Sequence, residues 1–112
     1  MEPETKTKNR SANAIKLEEL QREHGRVASA EIHGQLYAFR APTLEEWEEY
    51  QDGLGKRPRG ACFRELSQVT CVHPSVDELQ KLFDRLPGIG ARIADAVADL
   101  AGADIELTVK KG

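Results

Sequence analysis

The chain has 112 residues, 39% hydrophobic and 31% charged, enough for one modest core beneath a well-hydrated surface. Sixteen Lys and Arg against 19 Asp and Glu leave a formal net charge of -3, which argues against general electrostatic capture of nucleic acid. No apolar run approaches the ~20 residues that span a bilayer, and the opening MEPETKTKNRSANA lacks the apolar segment of a secretory signal. Residues 1–10 are expected to form a flexible polar leader, and 11–112 a single small domain.

Ser11 is a candidate cap for a first helix that reaches His24 and stops at Gly25. Ile15, Leu17 and Leu20 give it a modest apolar side. A helix this weakly amphipathic needs an apolar neighbour, so Leu17 and Leu20 are candidate contacts to another protein. Arg26 to Ala41 reads as a β-hairpin. Residues alternate along both arms, and His33-Gly34 supplies the turn, Gly34 tolerating a positive φ.

Pro42-Thr43 opens the next helix, with Thr43 and Glu46 spaced as a capping box. Leu44, Trp47 and Leu54 share one face, with Tyr50 and Gln51 beside them. Glu45, Glu46, Glu48 and Glu49 make the rest acidic, and Gly53 and Gly55 are the expected stop. Trp47 and Tyr50 are therefore candidate anchors of a negatively charged docking surface, or else core residues of a solvated helix. Lys56-Arg57-Pro58-Arg59-Gly60 is a short basic loop. Ala61 to Val72 reads as a helix with Cys62, Leu66 and Val69 on one stripe and Phe63 beside it. On one helix Cys62 and Cys71 would lie ~13 Å apart and on opposite faces. That exceeds the ~7 Å a disulfide allows. With no CxxC or CxxH spacing they read as reduced core residues of a cytosolic protein, not zinc ligands.

Ser75 to Gly102 organises the chain. Ser75 and Glu78 are spaced as a second capping box, and Val76, Leu79, Phe83 and Leu86 form one face. Pro87-Gly88 breaks the helix. Ile89, Ile93, Val97 and Leu100 restart the period until Gly102. So short a connection predicts helices that lie against each other around an inward-facing bend. Beyond Gly102, Ile105, Leu107 and Val109 alternate with polar residues, which suits a short strand completing the hairpin's sheet. None of the three histidines has a carboxylate, cysteine or second histidine placed so as to suggest a site. No nucleophile with a base, phosphate loop or metal cluster is legible, so neither an enzyme nor a cofactor is expected.

Two resemblances follow from these motifs. Leu86-Pro87-Gly88-Ile89-Gly90, followed by Ala94, resembles the helix-hairpin-helix motif of DNA-binding proteins. That likeness implies that the amides of Gly88, Ile89 and Gly90 hold a DNA phosphate with help from Arg92. Asp84, Asp95 and Asp99 would then stand close to the phosphates. The order of elements from Val27 onward resembles the small tail assembly chaperones and related tail proteins of long-tailed bacteriophages. Phe39-Arg40-Ala41-Pro42-Thr43, Glu46-Trp47, Val72-His73-Pro74, Leu82-Phe83-Asp84-Arg85-Leu86-Pro87-Gly88 and Leu100-Ala101-Gly102 carry it. It implies a non-enzymatic factor that binds phage tail proteins, above all the tape-measure protein, in the cytoplasm of the bacterial host. Membranes and nucleic acid would play no part, and self-association stays open. The expected fold is α+β and mostly helical: an N-terminal helix, a β-hairpin, about four helices and a C-terminal strand.

Overall fold

The structure is a computed structural model and describes residues 2–103. Five helices and a three-stranded antiparallel sheet form a mostly helical α+β fold, in the order α1 (Glu2–His24), β1 (Val27–Ile32), β2 (Gln35–Arg40), α2 (Leu44–Leu54), α3 (Arg59–Thr70), β3 (Cys71–His73), α4 (Val76–Arg85) and α5 (Ile89–Ala98). α5 runs into a wide turn at Asp99–Ala103, where Gly102 takes φ +97° and ends the helix as its position predicts. The predicted strand at residues 105–109 lies outside the described residues. No helix among the described residues is long and apolar enough to cross a membrane.

α1 starts at Glu2, so Ser11 lies inside it and is not its cap. No glycine or proline stands between residues 4 and 24 to break it earlier. Gly25, at φ +80°, ends α1 and donates its N–H to the Gln21 carbonyl at 2.8 Å. The hairpin forms about the expected His33-Gly34 turn, with pairing from Val27 opposite Arg40 to Ile32 opposite Gln35. His33 (φ +53°) and Gly34 (φ +81°) both lie in the left-handed region, the backbone of a type I′ turn. His33→Asn is therefore expected to stabilise the chain by about 0.5 kcal/mol, since asparagine tolerates this conformation better. Urea unfolding midpoints check this.

Among the described residues the third strand follows α3 directly. Cys71–His73 pairs antiparallel with β2, placing Phe39 opposite Cys71 and Ala38 opposite His73. α3 consequently stops at Thr70, and Cys62 and Cys71 lie on different elements, a correction to the single-helix reading. β2 is the central strand and is buried on both faces. Tyr37 and Phe39 join Leu66, Leu79, Leu82, Phe83, Ile93 and Val97 in the main core. Leu36 and Ala38 face the other way, on the side of the sheet where α1 packs.

The interior stripe of α3 also differs from expectation. Val69 is 45% exposed, while Cys62, Leu66, Ser67 and Thr70 are buried. The two hydroxyls can be buried because each bonds back along its own helix. Ser67 Oγ donates to the Phe63 carbonyl at 2.7 Å, and Thr70 Oγ1 to the Leu66 carbonyl at 2.8 Å. α5 lies chiefly along α3, and its contact with α4 is smaller. The helices either side of Pro87-Gly88 therefore diverge from the bend and meet through side chains in the shared core.

Candidate functional site

Arg40, at the end of β2, sets the corner from which the main groove is built. Its guanidinium donates to both oxygens of the Glu46 carboxylate at 2.9 Å, and to the carbonyls of Ala41 at 3.0 Å and Val69 at 2.9 Å. One side chain thus ties the sheet to the first turn of α2 and the last turn of α3. Glu46 also accepts from the Thr43 N–H at 2.9 Å, while Thr43 Oγ1 accepts from the Glu46 N–H at 3.1 Å, which completes the predicted capping box. The bidentate bond from Arg40 holds the Glu46 carboxyl below its ordinary value.

Between α2 and α3 this corner opens into a groove of about 610 Å³. Tyr50, Leu66 and Val69 supply apolar lining, and Glu49, Asp52, Lys56 and Arg57 supply charge. Tyr50 packs against Trp47, with ring centroids 5.4 Å apart and planes tilted by 41°. Burial pushes the Tyr50 hydroxyl up, and the Asp95 carboxylate adds to the shift. Arg57 lies across Gly53 and bonds the Glu65 carboxylate at 2.5 and 2.6 Å, closing one end of the groove.

The predicted binding residues divide accordingly. Trp47 and Tyr50 are half-buried, packed against the core on one side and open on the other. Their stripe continues through buried Gly53. Leu44, expected to share it, is instead 73% exposed. Leu20 is buried in the fold and Leu17 half-buried, so α1 uses both within its own chain. Val69 and Arg57 were not singled out as site residues. Their place depends on α3 crossing α2, which no local pattern encodes.

The basic loop is largely absorbed into the fold. Arg57 pairs with Glu65, and Arg59, already in α3, sits 5.8 Å from the Phe63 ring centre. The Leu86–Gly90 turn also differs from expectation. Pro87 and Gly88 are exposed, so the bend faces outward, while Gly90 is buried against α3. A Cβ at Gly88 would meet nothing within 4 Å. One at Gly90 would sit 3.6 Å from Arg64 Cγ, 3.7 Å from Phe63 Cβ and 3.8 Å from Phe83 Cε1. These are ordinary contacts, so Gly90→Ala should be tolerated and gain up to about 1 kcal/mol of helix propensity. Gly90→Val should cost at least about 1 kcal/mol by overpacking the same contact. Thermal melts of the two variants test that ordering. Arg92 lies in a second groove, between α5 and β1, with Ile89 and Ile93.

No protein family and no curated protein matches this chain. Among solved structures it is similar to an uncharacterised protein, rbstp2171, from Bacillus stearothermophilus. The TM-score is 0.67 and the identity 22%, over 84% of this chain and 99% of that one. Similarity at this identity is a likeness of fold.

Proposed function

We propose that this protein is a non-enzymatic binding factor in bacteriophage tail assembly, a tail assembly chaperone or minor tail component working in the cytoplasm of the bacterial host. The observation that carries the reading is the α2–α3 groove, where Tyr50, backed by Trp47, and Val69 meet a charged rim. Apolar anchors surrounded by charge are the usual anatomy of a protein-binding surface. Glu49 and Asp52 at the rim favour an apolar segment that carries lysine or arginine. The tail-protein resemblance supplies the identity of the partner, with the tape-measure protein foremost. Its segments Phe39–Thr43 and Glu46-Trp47 are the ones that Arg40 joins into one corner beside the groove.

Coexpression with the tape-measure protein encoded in the same genome tests the proposal. The two should co-purify, and Tyr50→Glu with Val69→Asp should weaken the complex at least about tenfold. Failure to co-purify or solubilise any tail protein would overturn the reading. Micromolar, salt-sensitive binding of duplex DNA that is lost on Arg92→Glu would replace it with a helix-hairpin-helix function.

A further inference from the structure

The helices cover the inner face of β1 only in part. Ala28 and Ala30 are too small to fill the space beneath α5, and a groove of about 200 Å³ remains between the strand and the helix. Its floor includes Tyr37 and Phe39, and its wall is the stripe Ile89, Ile93 and Ala96. β1 is also an edge of the sheet, so among the described residues its outer side has no strand partner. Alternate backbone groups of β1 therefore point outward without a ladder bond. The α5 stripe continues to half-buried Leu100, two residues before the chain turns at Gly102.

The next stretch of sequence is Asp104-Ile105-Glu106-Leu107-Thr108-Val109. We propose that this segment, which lies outside the described residues, adds to the free edge of β1 and seats Ile105, Leu107 and Val109 in the groove. The length matches. From Gly102 back to Ile89 is about 20 Å of helix axis, and residues 104–109, fully extended, cover about 20 Å. Alternation in the segment puts its apolar side chains on the face toward the groove and Asp104, Glu106 and Thr108 on the opposite face, toward solvent. The added strand would cover the apolar stripe of α5 and remove an exposed sheet edge in one step. This inference is independent of the tail-assembly proposal, since it concerns a different groove.

Nuclear magnetic resonance on the full chain tests it. Methyl contacts should connect Leu107 to Ala30 and Ile93. The outward-pointing amides of β1 should exchange about tenfold faster in Leu107→Asp than in the parent chain. Ala30→Arg, which fills the groove from the other side, should release the same amides, whereas Thr108→Asp on the opposite face of the segment should not. If the methyl contacts are missing and Leu107→Asp leaves β1 exchange unchanged, the proposal fails. It fails equally if the contacts prove intermolecular in a mixed-label sample, which would make a second copy the occupant.

Discussion

Arg40→Ala is expected to destabilise the protein by about 3 kcal/mol, with no change in the denaturant slope. The side chain makes two bonds to Glu46 and one each to the carbonyls of Ala41 and Val69. Arg40 and Glu46 retain only 27% and 20% of their side-chain exposure, so this is not a freely solvated surface pair. Removing the guanidinium leaves a half-buried carboxylate and two carbonyls to be satisfied by water. Arg40→Lys should recover less than half of the loss, because a lysine cannot make the forked bond and reach both carbonyls. A cost below about 1 kcal/mol for Arg40→Ala would place the pair among ordinary surface salt bridges and remove it as the corner of the fold.

The same variant changes the acid limb of stability. The Arg40 bond is the largest cause of the lowered Glu46 value. Its contribution is therefore full above the ordinary glutamate value of 4.5 and is lost as pH falls through the lowered folded value. His73 acts at higher pH. Burial, and then the nearby Lys16 charge, lower its folded value from the ordinary 6.5, so its contribution drains as pH falls from 6.5 through that value. Arg40→Ala should flatten the limb below pH 4.5 and leave the limb just below 6.5 unchanged. Unfolding free energies measured across pH for both chains separate the two groups. Parallel curves below 4.5 would show that Arg40 does not set the Glu46 titration.

What could be read from sequence had local causes. The hairpin follows from alternation on both sides of His33-Gly34. The start of α2 follows from the Thr43-to-Glu46 spacing, and the end of α5 from Gly102. Ser75 also caps α4, its Oγ accepting from the Glu78 N–H at 3.1 Å, but the expected box is only half formed, since the Glu78 carboxylate pairs with Lys81 at 3.3 Å and does not bond the Ser75 N–H. β3 was missed because it has three residues and follows α3 with no glycine or proline between them. Its strand character comes from pairing with β2, a non-local event. Thr70 took the interior place expected of Val69 because its hydroxyl found a partner on its own helix. A hydropathy pattern prices that hydroxyl as exposed. The groove was half legible. Tyr50 was visible beside Trp47, while Arg57, Leu66 and Val69 join Tyr50 in the groove through the crossing of α2 and α3. The outward bend at Pro87-Gly88 was misread for a similar reason. The sequence pattern shows two apolar faces but not that α5 would find α3 as its main neighbour.

That choice of neighbour makes Phe83 the most consequential core residue of the bend, and Phe83→Ala is expected to cost about 4 kcal/mol. Phe83 is buried in the cluster that α3, α4 and α5 share with the sheet. Its ring edge lies 3.8 Å from where a Cβ on Gly90 would stand, and Gly90 brings no side chain that could shift into a vacated space. Leu79 and Leu82 are already fully buried, so collapse around the missing ring is limited and the cost falls high in the usual range. Phe83→Leu should cost less than about 1.5 kcal/mol, since it keeps most of the volume. The double variant Phe83→Ala with Gly90→Ala gives a sharper result. A methyl group at Gly90 points within 3.8 Å of the position that Phe83 Cε1 leaves, so it should fill part of the void. The pair should then be less destabilised than the sum of the single changes by at least about 0.5 kcal/mol. Strict additivity would mean that α5 does not turn back onto α4 at this point. The bend would then be a surface excursion with both flanking helices packed elsewhere.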